Sequence, residues 1–369
     1  MYSSAPGKVI LFGEHAVVHG SHAVAASLTS LRIHAMVEAR SDGRICLDFE
    51  DVGERWECAT SALGIAAKRT EVPVVPLATG PRQEVLERVK RAALAEGWSS
   101  TAAVAAAYLC AELCDVNGVT MVVKSAGLPL GAGLGSSAAF CVSVAAVLCA
   151  HRNERDEETV NNWAFSAEVV CHGTPSGLDN AVCCFGGGAL ALKTSQGLRR
   201  TRLDLPSNLS LLVTDTKKPR KTSRLVAKVT DLLKRMDSPV RRIFDAIDAI
   251  SLGFADICAK NETNFSPDKT RLVADYMRFN HGLLRALNVS DALLEIVADI
   301  ADSHDAAATK LTGAGGGGCA ITLLHHSTTL DRLSQSQIDN LRKHLRRQGF
   351  DTYQTELGGN GLEVSHEPL

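Results

Sequence analysis

Alternating apolar and polar residues predict β-strands in the first part of the chain. From residue 31 to 39 every second residue is apolar, and most residues between them are charged or polar. This period of two is typical of a strand with one buried face. The apolar residues Leu47 and Phe49 predict its hairpin partner. The same reasoning predicts strands at residues 119–124 and within residues 189–216.

Helical patterns alternate with these strands. Helices are predicted at residues 83–96, 99–114, 157–171 and 335–347, and an Ala/Val/Leu run up to His151 predicts a buried helix. The second helix is so rich in alanine that close packing under a sheet is expected. A stripe at helical spacing predicts a long helix later in the chain: Ile243, Ile247, Ile250, Phe254 and Ile257.

The pattern changes near the middle of the chain, which predicts two domains. Strand-like segments precede residue 216, and long helices follow Lys221. The last part predicts strands at 319–324 and 351–356. A length of 369 residues fits two domains at about 150 residues each. Because Pro206 interrupts the strands, we place the domains at 1–206 and 207–369, with the last strand free to return to the first domain.

Composition narrows the class of protein. Hydrophobic residues make up 45% and charged residues 22% of the chain, which indicates a globular protein with a substantial core. The formal net charge of −2 gives no overall field that would attract nucleic acid or an acidic membrane. An anionic ligand must therefore be bound by local groups.

The cysteines and the apolar runs predict a cytoplasmic protein. The eleven cysteines contain no C-x-x-C pair, so neither a disulfide framework nor a zinc cluster is indicated, and buried thiols in a reducing cytosol are expected. The most apolar stretch, residues 138–150, is shorter than the roughly 20 residues of a membrane span. Residues 1–13 lack the long apolar run of a secretory signal.

The first segment with candidate chemistry is APGKVILFGEHAVVHG, residues 5–20. A strand delivers Lys8 at one end, and Gly13 allows a sharp turn that presents Glu14 and His15. Taken alone, this segment fits an ordinary edge strand and turn. Its Glu-His-x-x-x-His spacing differs from His-Glu-x-x-His, so zinc hydrolysis is not indicated.

The second segment, LPLGAGLGSSA, is a glycine-rich loop before a helix. Its backbone N–H groups can approach a ligand, which predicts a phosphate cradle rather than only a tight turn. The predicted contacts are Gly131, Ala132, Gly133, Leu134, Gly135, Ser136, Ser137 and Ala138. The loop lacks the Lys-Ser/Thr ending of a Walker A motif and the G-x-G-x-x-G spacing of a dinucleotide site.

A bound triphosphate requires a divalent cation, and Mg²⁺ prefers oxygen ligands. The Ser137 hydroxyl is one candidate ligand. Glu168 can supply a carboxylate from the following helix, and a turn at residues 173–177 can return Asp179 to the loop. Taken singly, either acid also fits a solvated role on a helix or turn.

Two further segments are less decisive. The third, KLTGAGGGGC at residues 310–319, is almost free of side chains and predicts a loop that faces a ligand rather than a linker. Five cations lie between Lys217 and Arg224, with no aromatic residue among them for stacking on bases. A solvated helix start is the preferred interpretation of this cluster, and contact with substrate or phosphate is the second.

The strings PGKVILFGEHAVVHG, GAGLGSSAA, HGTPSGLDNAV and KLTGAGGGGC together resemble the GHMP small-molecule kinases. The resemblance spans residues 5 to about 320. It implies a two-domain α+β fold with an N-terminal domain like domain 2 of ribosomal protein S5. The C-terminal domain would be a ferredoxin-like α/β sandwich, and ATP and substrate would bind between the two.

The resemblance also implies roles for single residues. Ser137 and Glu168 would hold Mg²⁺, Asp179 would be the catalytic acid/base beside Lys8, and Glu14 and His15 would bind substrate. Thr222 would line the cleft from the second domain.

The implied reaction transfers the γ-phosphoryl group of ATP to the 5-hydroxyl of mevalonate. Phosphomevalonate, homoserine and galactose remain alternative acceptors, and a non-catalytic metabolite sensor is the alternative outside catalysis. The resemblance further suggests a homodimer and competition with ATP by prenyl diphosphates.

Overall fold

The computed structural model describes residues 1–65, 80–195, 197–260 and 262–369, whose strands form two sheets of eight and four strands. The larger sheet contains β1 (Tyr2–Phe12), β2 (His22–Ala39), β3 (Arg44–Phe49), β4 (Glu54–Ala59), β5 (Gly118–Ala126), β6 (Gly188–Thr194), β7 (Gly197–Leu203) and β12 (Glu363–Ser365). The smaller sheet contains β8 (Ser210–Asp215), β9 (Ala306–Leu311), β10 (Cys319–His326) and β11 (Asp351–Glu356). We call the parts built on them the N-terminal and C-terminal domains.

The long strand β2 organises the larger sheet. It pairs with β1 along most of its length, with β5 through its second half and with β6 through its first half. The predicted strand at residues 31–39 is the second half of β2. The prediction that Leu47 and Phe49 form its hairpin partner is wrong, because β5 lies between β2 and β3. Strand β3 instead pairs in parallel with β5 and antiparallel with β4.

Among the described residues of the N-terminal domain there are five α-helices: α1 (Gln83–Ala95), α2 (Thr101–Leu113), α3 (Ser136–His151), α4 (Glu157–His172) and α5 (Leu178–Phe185). Helix α3 packs against β1 and β2, and α2 and α4 pack on it in turn. Its residues are buried all round, as expected for a helix with apolar residues on every face. The predicted buried helix is therefore confirmed, whereas the short helix α5 was not predicted.

The C-terminal domain carries the other helices: α6 (Thr222–Arg235), α7 (Asp237–Cys258), α8 (Pro267–Ala286), α9 (Ala292–Ser303) and α10 (Gln335–Arg347). Its sheet is antiparallel throughout, in the order β11-β8-β10-β9. The predicted stripe lies on α7, where Ile247, Ile250 and Phe254 are buried. The mixed α+β architecture predicted from the sequence is confirmed.

The two domains are joined by more than their linker. Strand β12, at the end of the chain, pairs with β1 in the N-terminal domain. Thr312, just beyond β9, receives a hydrogen bond from the Ile10 amide at 3.2 Å and donates to the Ile10 carbonyl at 2.8 Å. These contacts fix the C-terminal domain against the end of β1 that carries the first candidate segment.

The cysteines behave as core residues. All eleven are free thiols, and all but Cys171 are buried. In the part of the chain that the structure describes, no helix is both long and apolar enough to cross a membrane.

Candidate active site

A cavity of about 470 Å³ lies where the two domains meet. It is lined by residues from all three candidate segments. Those that the sequence singled out are Lys8, Glu14, His15, Gly131, Gly133, Gly135, Ser136, Ser137, Ala138, Glu168, Asp179 and Thr222. Ala132 and Leu134 are buried in the loop and do not line the cavity. The structure thus gathers in one place residues that are more than 200 positions apart.

The glycine-rich loop reaches its shape through three left-handed residues. Gly131, Gly133 and Gly135 have φ values of 73°, 87° and 74°. Residues with a Cβ rarely adopt such positive φ values. Gly135 is also the N-cap of α3, so the loop ends at the positive end of a buried helix. The Lys8 amide donates to the Leu134 carbonyl at 2.8 Å, which holds the loop against β1.

Lys8 and Asp179 form an ion pair on the cavity wall, with 3.0 Å between Nζ and Oδ2. The Lys8 side chain is 6% exposed and that of Asp179 is 37% exposed. Asp179 lies in the first turn of α5, two residues after Gly177, the left-handed N-cap of this helix. The turn predicted at residues 173–177 therefore does bring Asp179 back to the glycine-rich loop. Asp179 itself lies on a short helix that follows this turn.

Glu168 and Ser137 also line the cavity, close to Asp179, and we call this region the acidic corner. Burial, followed by the charge of Asp179, raises the pKa of Glu168 to about 8. The Ser137 hydroxyl is 2.8 Å from His172 Nε2, and the same nitrogen is 4.0 Å from the Glu168 carboxylate. A buried carboxyl with a raised pKa, beside a hydroxyl and a second carboxylate, is an environment that a divalent cation would stabilise.

These donors fit a magnesium ion better than a metal held by protein alone. In the described ranges no group of three or more His, Cys, Asp or Glu side chains is arranged to bind a metal. Mg²⁺ usually takes only one or two protein ligands and completes its shell with phosphates and waters. Ser137 and Glu168 can supply these one or two protein ligands beside the glycine-rich loop.

His15 lies on the cavity wall and connects the two domains. Its backbone has φ of 62°, which is unusual for a residue with a side chain. Nε2 lies 2.9 Å from the Ala314 carbonyl, so this nitrogen carries the proton. Nδ1 has no hydrogen-bond partner within the described residues. Burial lowers the pKa of His15, which leaves a neutral ring with Nδ1 as a buried acceptor.

Glu14 differs from the other predicted substrate ligands. It borders the cavity, but its carboxylate is bonded to Lys310 of β9 and to Asn280 of α8, and the side chain is fully buried. The structure therefore does not present this carboxylate to a ligand as the sequence led us to expect. The reason is that Lys310, 296 positions away, occupies it.

Arg220 is the cavity residue that sequence reasoning ranked too low. Its guanidinium donates to the Thr312 carbonyl at 3.1 Å and lies between the two glycine-rich loops. A Cβ on Gly133 would be 1.7 Å from Arg220 Nη2, and one on Gly318 would be 2.7 Å from its Cζ. Partial burial lowers the pKa of Arg220. The preferred interpretation of its cation cluster as solvated is wrong for this member.

The remaining cavity wall is largely apolar. The aliphatic residues Ile10, Val17, Val18 and Val226 are part of this wall. None of these was singled out from the sequence, because isolated aliphatic residues carry no local signal of a binding role.

Comparisons with known proteins agree with this arrangement. The GHMP kinases N terminal domain matches residues 100–188, and the GHMP kinases C terminal domain matches residues 269–349. The mevalonate kinase of Candida albicans is 36% identical, covering 99% of this chain and 90% of the relative. The mevalonate kinase of Mus musculus is also 36% identical, with 98% and 94% covered.

A solved structure extends the likeness to the fold. The crystal structure of L. major mevalonate kinase in complex with R-mevalonate superposes with a TM-score of 0.71. It is 23% identical, and the match covers 97% of each chain. The fold and the cavity define a two-domain small-molecule kinase. The chain belongs to the GHMP kinases and, within them, to the mevalonate kinase family.

Proposed function

We propose that this protein transfers the γ-phosphoryl group of ATP to the 5-hydroxyl of mevalonate, giving 5-phosphomevalonate and ADP. The observation that carries the proposal is the juxtaposition of the glycine-rich loop with the Lys8–Asp179 pair in one cavity. Relatives named mevalonate kinase at 36% identity over nearly the whole chain favour this acceptor over phosphomevalonate, homoserine or galactose, and over a sensor role.

The loop and the cations supply the electrostatic part of the reaction. In phosphoryl transfer negative charge spreads over the oxygens of the moving group, so catalysis depends mainly on positioning and charge stabilisation. The N–H groups of residues 131–137 would bind the phosphates at the start of α3. Arg220, between the loops, and Lys8, at the end of the cavity with Asp179, would add positive charge.

Asp179 would receive the proton of the attacking alcohol. Its carboxylate is partly exposed to the cavity, and Lys8 is 3.0 Å away. A hydroxyl that enters the cavity at hydrogen-bond distance from this carboxylate can pass its proton to it. Lys8 would also lower the pKa of the alcohol itself. The acceptor must then lie between Asp179 and the γ-phosphate.

His15 and Thr222 would orient the acceptor. His15 lines the cavity as a neutral ring whose Nε2 donates to Ala314 and whose Nδ1 is buried, so the ring would pack against the acceptor. A role as the cationic partner of the substrate carboxylate would require His15 to gain a proton, which its burial opposes. Arg220 is the better candidate for that anion.

Mg²⁺ would be held by Ser137 and Glu168, where it would neutralise charge on the ATP phosphates. The raised pKa of Glu168 supports this assignment, since a buried carboxyl of this kind gains most from a nearby cation. Without a cation, Glu168 at neutral pH largely keeps its proton.

The test is an assay of ADP release with ATP, Mg²⁺ and each of four acceptors: mevalonate, phosphomevalonate, homoserine and galactose. We expect ADP release to depend on mevalonate alone. ADP release with another acceptor at a higher kcat/KM than with mevalonate would identify that acceptor as the substrate and contradict the proposal. ATP binding without release on any acceptor would favour the sensor.

Four further parts of the proposal rest on the sequence. The cysteines predict a cytoplasmic location. The family resemblance implies a homodimer and competition with ATP by prenyl diphosphates, and Pro206 predicts a domain boundary between residues 206 and 207. Sedimentation, inhibition kinetics and limited proteolysis near Pro206 would test the last three.

A further inference from the structure

A second lysine–carboxylate pair lies beneath the cavity, where the two domains meet. Lys310, in β9, donates from Nζ to the Glu14 carboxylate and to the Leu311 carbonyl at 2.7 Å. Asn280 donates to the other oxygen of Glu14 at 2.9 Å. Both charged side chains are 0% exposed. We call Glu14 and Lys310 the sealed pair.

Stability alone does not account for such a pair. Moving two charges out of water costs more than their attraction usually returns, and well-packed apolar side chains are often as stable. The cost is visible here, because burial raises the pKa of Glu14 and lowers the pKa of Lys310, each against the pull of its partner. A role in fixing geometry is the alternative use of a buried pair.

The sealed pair lies between the two elements that hold His15. Glu14 directly precedes His15, and Lys310 directly precedes the segment in which Ala314 accepts the His15 ring proton at 2.9 Å. Between them Thr312 bonds to both backbone groups of Ile10. The left-handed backbone of His15 stores strain, so the surrounding contacts must hold it in place.

We propose that Lys310 is a positioning residue of the kinase reaction. It acts through Glu14 to fix the turn that holds the His15 ring at the part of the cavity where the phosphoryl acceptor would bind. The inference rests on the proposed function and adds a residue to it. Misplacing a binding group by about 1 Å can cost on the order of 10²-fold. Loss of Lys310 is therefore expected to affect the acceptor more than ATP.

The experiment compares Lys310→Met with the double variant Glu14→Gln/Lys310→Met. The single variant leaves a buried carboxylate without its cation and should lose stability. The double variant removes both charges at nearly constant shape and should recover the urea midpoint of the parent. In both variants we expect the KM for mevalonate to rise about tenfold or more, while the KM for ATP stays within about twofold. Lys269→Met, which breaks an ion pair with Glu262 outside the cavity, is the matched control.

A second readout does not depend on activity. The ¹³C-labelled ring signal of His15, assigned by its loss in His15→Gln, should shift in both Lys310 variants and stay unchanged in Lys269→Met. A stable double variant with a normal KM for mevalonate overturns the proposal, because the pair then serves stability alone. A raised KM without a shift of the His15 signal also overturns it.

The two proposals fail in different ways. If the parent protein does not phosphorylate mevalonate, the proposed function fails, and the His15 signal alone decides whether Lys310 positions that ring. If Lys310→Met does not fold, the double variant carries the same test.

Discussion

Two lysine–carboxylate pairs can be compared: one lines the cavity and the other lies beneath it. They differ in how accessible the carboxylate is. The Lys8–Asp179 pair opens to the cavity through an Asp179 side chain that is 37% exposed. The Glu14–Lys310 pair is closed on every side. Both pairs combine the same chemical groups, so the difference between them is one of access.

Access determines what each pair can do. A hydroxyl that enters the cavity can reach Asp179, and a proton can move between them at hydrogen-bond distance. No ligand can reach the Glu14 carboxylate, whose two oxygens are already bonded to Lys310 and Asn280. One pair is thus suited to chemistry and the other to holding the domains in register.

The largest expected effect comes from removing the accessible carboxylate. Asp179→Asn should lower kcat by about 10²–10⁴, the usual contribution of a positioned acid or base. ATP binding should change little, because the glycine-rich loop is intact. Steady-state kinetics with mevalonate, together with calorimetric titration of ATP, measure both. Asp204→Asn, which breaks an exposed ion pair with Arg202, is the control. A near-normal kcat would remove Asp179 from the proton transfer.

The order of effects should reverse for stability. Glu14→Gln leaves Lys310 buried without a counter-charge and should cost about 3–5 kcal/mol of the free energy of unfolding. Asp179→Asn breaks a pair with a partly exposed member and should cost about 1 kcal/mol or less. Urea titrations of both variants make the comparison. Equal losses would mean that access does not separate the two pairs.

The same contrast shows what could be predicted from the sequence. The glycine-rich loop was predictable because its requirements are local: three left-handed residues, two serines and the start of an apolar helix. The pairing of Glu14 with Lys310 was not, because it joins a turn to a strand 296 positions away. The binding position of Arg220 was not predictable either. Arg220 differs from the neighbouring solvated cations because it lies between the two glycine-rich loops, which come together only in the folded chain.

The error in the sheet has a similar origin. Alternation identifies a strand and its buried face, but it does not identify the neighbouring strand. Leu47 lies in a strand that pairs with β5, whose chain position is about 70 residues further on. Strand order depends on which helices cover the sheet, and that information is spread over the whole domain.

A smaller effect is expected at the hydroxyl beside Glu168. Ser137→Ala removes an oxygen that we assign to Mg²⁺ and should raise the KM for Mg·ATP about 10-fold to 100-fold, the usual value of a hydrogen bond or ligand to a charged group. The KM for mevalonate should stay unchanged. Titration of Mg²⁺ at fixed ATP measures the effect, and Ser207→Ala, whose hydroxyl bonds only outside the cavity, is the control. An unaltered Mg²⁺ dependence would exclude Ser137 as a ligand.

The last prediction concerns the charge of Glu168 itself and is measured as stability rather than activity. Its pKa is raised from 4.5 to about 8 in the folded protein, so between these pH values the folded chain holds a proton that the unfolded chain has lost. The contribution of Glu168 to stability therefore falls as the pH rises from about 4.5 to 8. Glu168→Gln removes the titrating group. We expect the stability of the variant relative to the parent to rise by about 3–4 kcal/mol between pH 5 and pH 8.

The difference between the two proteins is the quantity to measure, since other groups titrate in the same range. Burial lowers the pKa of His15 and brings that of His325 to about 4, so these groups add stability as the pH rises toward 6.5. Their effect has the opposite sign and is common to parent and variant, and it cancels in the difference. If that difference stays constant from pH 5 to 8, Glu168 is already ionised in the free protein. The acidic corner would then hold two carboxylates without a divalent cation, an arrangement that the charge of Lys8 and the hydrogen bond from Ser137 would offset.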